Sequence, residues 1–446
     1  MTSVDRLTEA LLRLFYPVRG LRGDVPESGV YPGSGVYPGS GVYIVVANHP
    51  NGLLDPLMLR LLLGRRVGFL AKSTFWDTAP GRWVMEKSGA MPVYRAHEAD
   101  TSRNEATFAR CRKTLSEGQW LALFPEGKSH SEPTLQPLKS GAARIALSTI
   151  AEHPNLPLRI LPVGLFYEDK AIFRTRATGS VGAPVAVADL VEAYRDDPRQ
   201  AVAALTERIE AALGAVVLQG ENEQLRQAFY AVAGWTLPVS GTDAASAKQA
   251  IAEREERARA LALAWQRGDD VARARAVAAF ETFQQRMDEL GVDDPLAVLA
   301  PDRGRVLART LGLFAMAPIA GLGALFAWVP YRMIRWIAER LAGGNSDVVS
   351  TMKVLVGVAV LVPVYVGEAV AVGLWQGWVA GLAMALLGPM TGFVALRFDE
   401  RLSVRLQLVH GLWLGSDARA AVDQERAALI AAVGAAVPDV RPGFSA

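Results

Sequence analysis

VYIVVANHPNGLLDP, residues 42–56, sets a buried strand against a tight turn and a helix start. Val42–Ala47 is an unbroken apolar run rich in β-branched side chains, the pattern of a strand covered on both faces. Pro50, Asn51 and Gly52 then force a turn, and Asp55 before Pro56 predicts a helix with Asp as N-cap and Pro at its first position. On one continuous helix, side chains six residues apart would point about 120° away from each other. Folding the intervening chain back instead lets the Asp55 carboxylate meet the His49 imidazole. Such a pair makes a general base of fixed tautomer, suited to deprotonating an alcohol that attacks a carbonyl. A structural histidine beside a simple helix cap fits the same residues.

Outward from this strand, apolar runs alternate with helical ones through residue 190. WLALFP (120–125) and LRILPVGL (158–165) read as further buried strands, and 56–64, 103–117 and 139–152 as helices. That alternation predicts an α/β domain, whose site belongs where strands end. Two more such places carry charge. SGAMPVYR (88–95) puts Arg95 just past a short strand, where a guanidinium can grip a phosphate with two N–H groups or lie solvated on the surface. In LALFPEGKSH (121–130), Pro125, Glu126 and Gly127 turn the chain beside Lys128, and LKSGAARIAL (138–147) puts Lys139 at a helix start that favours an anion.

With these segments in order, the chain resembles the glycerophospholipid acyltransferases, which acylate glycerol 3-phosphate or its 1-acyl derivative. The likeness rests on NHPNGLLD (48–55), GAMPVYR (89–95), FPEG (124–127) and LPVGL (161–165), and covers roughly residues 40–220. Five residues rather than the commoner four separate His49 from Asp55, and Lys128, Ser129 and His130 replace the usual Thr-Arg-Ser. Both departures resemble the branch containing fungal glycerol-3-phosphate/dihydroxyacetone-phosphate acyltransferases. The resemblance implies an acyltransferase domain with a mixed sheet flanked by helices. His49 and Asp55 would be catalytic, and Arg95, Glu126, Gly127, Lys128, Lys139 and Lys72 (in FLAKSTFW) would form the substrate site. No tightly bound cofactor is implied. Acyl-CoA or acyl-carrier protein would donate the acyl group to glycerol 3-phosphate, with lysophosphatidate the alternative acceptor and membrane phospholipid the surroundings. A membrane-anchored scaffold that has lost catalysis is the reading from another class.

Composition agrees with a membrane setting. Of 446 residues 51% are hydrophobic although 21% are charged, so the chain is not disordered. The 47 basic against 45 acidic residues leave +2, which gives no field for binding nucleic acid. The single cysteine, Cys111, excludes an internal disulfide and a Cys-rich metal site. Residues 311–330 carry no charge and 354–396 only Glu368. At about 1.5 Å per residue the first run just crosses a hydrocarbon core, and the second suits two helices. Arginines flank every end and give no clean topology. With all ends cytoplasmic, 311–330 would be a re-entrant segment broken near Pro318, Gly321 and Gly323; three ordinary spans are the alternative. Glu368 reads as an intramembrane functional carboxylate or as one reaching the far interface.

The resulting order is an amphipathic interfacial helix in 1–27, periodic over 4–22, and a Gly/Pro repeat linker at 28–41. The acyltransferase domain follows at 42–220, a polar helical hairpin at 221–305, membrane-embedded helices at 306–396 and a cytoplasmic helical tail at 397–446. Residues 1–10 contain Asp5 and Glu9 and lack the apolar core of a secretory signal. The catalytic domain is expected on the cytoplasmic face of an integral membrane protein.

Overall fold

Eight strands and their covering helices build the first of two units in a computed structural model of the chain. The structure describes residues 18–22, 41–94, 104–169, 177–235, 244–292, 303–344 and 346–437. The strands are β1 (Val18–Arg22), β2 (Val42–Ala47), β3 (Gly68–Lys72), β4 (Ala90–Val93), β5 (Leu121–Leu123), β6 (Leu158–Tyr167), β7 (Ala177–Val181) and β8 (Val185–Ala186). Their order is β1-β7-β6-β2-β5-β3-β4, with β8 also on β6. The run β6-β2-β5-β3-β4 is parallel, and β6 pairs antiparallel with β7 and β8, so the sheet is mixed as expected.

β2 occupies the middle of this sheet because all six of its residues are apolar enough to be buried on both faces. On one face, Ile145, Ala146 and Ile150 of the helix Gly141–Glu152 and Leu205, Ile209 and Leu213 of the helix Pro198–Gly214 close over Ile44, Val46, Leu121 and Ile160. Each fully buried Leu or Ile contributes about 1.5–3 kcal/mol, so these faces fix the register on which the site depends. The helix after β2, α1 (Leu54–Leu63), buries Met58, Leu59, Leu62 and Leu63 and ends on Gly64 in the left-handed region at φ 62°.

Two expectations for this unit change. Residues 18–22 are not the end of an amphipathic helix but the edge strand β1, paired parallel with β7 from Val18 opposite Ala177. Pro17 and Gly20 disfavour a helix there. The remainder of the N-terminal helix, residues 4–17, and nearly all of the Gly/Pro repeat lie outside the described residues. Asp55 is not the N-cap of α1: Leu53 takes that position, and Asp55 sits in the first turn.

The second unit comprises 227–345 and 352–446. Its polar helices Ala244–Trp265 and Asp270–Leu290 form as the helix-forming composition predicts, the second capped by Asp269 and ended by Gly291. Among the described residues, three helices are long and apolar enough to cross a membrane: Ala317–Ala342, Val348–Gln376 and Trp378–Trp413. The run 311–330 is broken at Ala315–Met316, beside Pro318, where the helix Arg303–Phe314 ends and Ala317–Ala342 begins, whereas Gly321 and Gly323 lie inside that second helix. Pro318 stands in the first turn, where its missing N–H has no partner to lose. Gly323 serves close packing: a Cβ there would lie 1.9 Å from the Thr391 carbonyl oxygen. The expected break in 354–396 falls at Gly377, with φ 91°. No break separates 396 from 397, since the third helix continues to Trp413 before Ser416–Ala436 begins.

Candidate active site

Parallel strands bring their carboxyl ends to one edge, and this edge collects the chemistry. His49 follows β2, Lys72 ends β3, the Pro125–Lys128 turn follows β5 and Tyr167 ends β6. β6 runs past β2: Ala47 is in register with Val163, and the strand continues to Tyr167. That overhang reaches the loop carrying His49 at two points. Asn48 is buried, donating from Nδ2 to the Leu165 carbonyl at 3.0 Å and accepting the Leu165 N–H at Oδ1 over 2.7 Å. Tyr167 donates its hydroxyl to Asp55 Oδ1 at 2.7 Å.

The turn of residues 50–53 does what its composition predicts. Gly52 takes φ 46°, Leu54 N–H bonds to the Asn51 carbonyl at 3.0 Å, and the Asn51 N–H donates to Asp55 Oδ2 at 2.7 Å. The same oxygen lies 2.8 Å from His49 Nδ1. An ionised carboxylate only accepts, so this contact assigns the proton to Nδ1 and leaves the lone pair on Nε2. Asp55 is fully buried whereas the His49 side chain retains 16% exposure. The carboxylate is thus held by three protein donors, and the imidazole is the member of the pair that meets solvent. The ring also stacks on Phe124, centroids 4.1 Å apart and planes within 17°, which fixes its remaining rotation.

A second carboxylate supports the loop from below. Glu126 is buried, and its Oε2 accepts the His49 backbone N–H at 2.9 Å while Oε1 accepts the Gln136 N–H at 3.3 Å. His130 Nε2 lies 2.9 Å from Oε1, close enough for an ion pair but not directed as a hydrogen bond. The His130 N–H in turn donates to the His49 carbonyl at 3.1 Å. Both faces of the His49 peptide are therefore pinned to the turn after β5.

Gly127 and Lys139 also meet. Gly127 has φ 73°, and a Cβ there would stand 2.7 Å from the Lys139 Cδ, Cε and Nζ. The Lys139 N–H donates to the Pro125 carbonyl at 2.7 Å, just before the helix that its ammonium was expected to head. Lys128 is exposed, and Lys72 is half-buried two strands from β2 on the same edge. Arg95 lies outside the described residues; Val93, in register with Lys72, ends the strand that leads to it. Sequence reasoning missed Asn48, Asn51, Phe124 and Tyr167. Tyr167 alone left a signal, as a polar tip at the end of an otherwise apolar run.

Residues 31–165 match the family model described as Acyltransferase. The chain is 39% identical over 113 residues to an uncharacterized acyltransferase of Schizosaccharomyces pombe, covering 25% of this chain and 17% of that protein. It is 35% identical over 119 residues to glycerol-3-phosphate O-acyltransferase 2 of Saccharomyces cerevisiae, covering 26% and 16%. These matches span less than a fifth of the relatives' own length. Among solved structures, the 1-acyl-sn-glycerophosphate acyltransferase of Thermotoga maritima is 19% identical with a TM-score of 0.31, over 48% of this chain and 80% of that one.

Proposed function

We propose, from the premise that residues 31–165 are an acyltransferase domain of the glycerophospholipid acyltransferase family, that the chain moves a fatty acyl group from a thioester to the hydroxyl of glycerol 3-phosphate. The observation that supports this most is the His49–Asp55 contact of 2.8 Å, with the carboxylate buried and the imidazole partly open. His49 Nε2 takes the proton from the acceptor hydroxyl as its oxygen attacks the thioester carbonyl. Asp55 holds the ring in place and stabilises the imidazolium. Collapse of the tetrahedral adduct breaks the carbon–sulfur bond, and the released thiolate of CoA or of the deacylated carrier protein recovers the proton. No covalent acyl-enzyme is required. Arg95 holds the acceptor phosphate, Lys72, Lys128 and Lys139 add positive charge, and Glu126 with Gly127 shapes the acceptor site. The lipid product stays in the membrane, and the domain works on the cytoplasmic face, where the donor is supplied.

The test uses the full chain in detergent with one labelled acyl-CoA, offered glycerol 3-phosphate, dihydroxyacetone phosphate and lysophosphatidate in turn. Turnover should be fastest with glycerol 3-phosphate, and His49→Ala should lower it by about a thousandfold while leaving thermal unfolding unchanged. A preference for lysophosphatidate moves the reaction to position 2. No turnover with any acceptor rejects catalysis and leaves a scaffold.

A further inference from the structure

The crossover from β3 to β4 presents aromatic side chains that nothing in its own unit covers. It consists of a short turn, Ser73–Trp76, and a ten-residue helix, Ala79–Ser88. Phe75 is 40% exposed, Trp83 57% and Val84 45%. The helix turns Met85 inward, where it is buried, and at 100° per residue this aims Trp83 almost directly away from the sheet. The arrangement is rigidly built. Thr78 caps the helix by accepting the Gly81 N–H, and a Cβ on Gly81 would lie 2.3 Å from the Phe75 carbonyl oxygen, so only glycine lets the turn lie against the helix this closely. Arg82 donates to the Trp76 carbonyl, adding a second tie. Scattered apolar residues are ordinary on a protein surface, but an indole held outward on a braced helix, among exposed charges of both signs (Arg82 and Lys87, Asp77 and Glu86), has the chemistry of an amphipathic side chain that settles at a membrane interface.

Two observations name the occupant. The same chain carries three helices of membrane-spanning length, so the domain is tethered near a bilayer. The crossover also leaves from Lys72, on the sheet edge that holds His49, so Phe75 and the start of the helix stand on the side of the sheet where an acylated product departs, and Trp83 follows one turn later on the outer face. We propose that the turn and helix spanning 73–88 insert Phe75, Trp83 and Val84 into the headgroup region of a phospholipid bilayer, docking the active edge of the domain on the membrane surface. This inference rests on membrane residence and is independent of which acceptor is acylated.

The test is a fluorescent label at position 83 in the full chain reconstituted in phosphatidylcholine nanodiscs containing phosphatidylglycerol. Trp83→Cys can be labelled with a nitrobenzoxadiazole thiol reagent, because native Cys111 is buried. A second sample carries the label through Glu117→Cys, at an exposed position on the opposite edge of the sheet, just before β5. The label at 83 should show emission shifted to the blue and should be quenched severalfold more by phospholipids spin-labelled near the headgroup than the label at 117. Equal quenching at both sites overturns the proposal. So does a blue-shifted label at 83 that headgroup quenchers do not reach, since another part of the protein would then cover the helix.

Discussion

Tyr167 donates its hydroxyl to Asp55 across 112 positions of sequence, at 2.7 Å and out of contact with solvent. The bond is the far end of a chain that runs Tyr167, Asp55, His49, so the tyrosine reaches the imidazole only through the aspartate. Tyr167→Phe removes that donor and keeps the ring. A hydrogen bond to a charged group is worth about 1.5–3 kcal/mol, so kcat should fall by about tenfold to a hundredfold with little change in KM for either substrate. Steady-state kinetics with both substrates varied checks this, and a change confined to KM would remove the positioning role.

Glu126→Gln tests whether the carboxylate serves the loop or the substrate. A neutral amide has one accepting oxygen where the carboxylate offers two, so either the His49 N–H or the Gln136 N–H loses its partner. The expected result is a fall in kcat of about tenfold or more with a smaller rise in KM for the phosphate acceptor. Arg95→Ala should do the reverse, raising KM for the phosphate acceptor more than for the thioester. Measuring the two variants side by side separates the roles.

Asn48→Ala leaves the Leu165 N–H and carbonyl without the partners they have in the buried strand end. Unsatisfied buried groups of this kind cost about 1–3 kcal/mol each, so the domain should lose about 2–6 kcal/mol of stability. Denaturant unfolding followed by a signal from the acyltransferase domain measures it, and a loss within experimental error would show that the loop keeps its place without this bond.

Alkaline stability depends on Cys111. Burial pushes its thiol up from 9.0 to about 12, more than the neighbouring Arg110 and Arg112 lower it. The folded chain therefore keeps a proton that the unfolded chain releases above pH 9. Below that value the contribution is complete, and stability declines as pH rises toward 12, by at most about 1.4 kcal/mol per pH unit. Cys111→Ala should flatten this decline between pH 9 and 10.5 in thermal unfolding, and an unchanged slope would trace it to other groups.

Local pattern made much of this molecule legible. β2 was readable to the residue because six apolar side chains in a row have few other uses, and the His49–Asp55 contact followed from a Pro-Asn-Gly turn that leaves the chain little choice. Long-range pairing was not readable. β1 depends on Ala177, 159 positions from Val18, and its short sequence, VRGLR, offers no alternation strong enough to announce an edge strand beside an amphipathic stretch. The Asp55 cap failed for a related reason. Asp at a helix start ordinarily serves backbone N–H groups of its own helix, whereas here Tyr167, His49 and the Asn51 N–H compete for both oxygens. In the membrane helices, Gly321 and Gly323 resembled a break because glycine weakens an isolated helix. At Gly323 the absent side chain makes room for a neighbouring helix instead.

The overhang of β6 beyond β2 has a consequence for biosynthesis. Of the three described donors to Asp55, His49 and Asn51 are encoded within a few codons of it, and the third is the tyrosine at 167. A ribosome-bound chain that has exposed only the first hundred and fifty or so residues holds the imidazole and its carboxylate but lacks the hydroxyl that completes their alignment. On the proposed mechanism, full turnover would begin only after the sheet's long parallel strand has been translated and docked, and enzymatic rate would become a readout of cotranslational assembly.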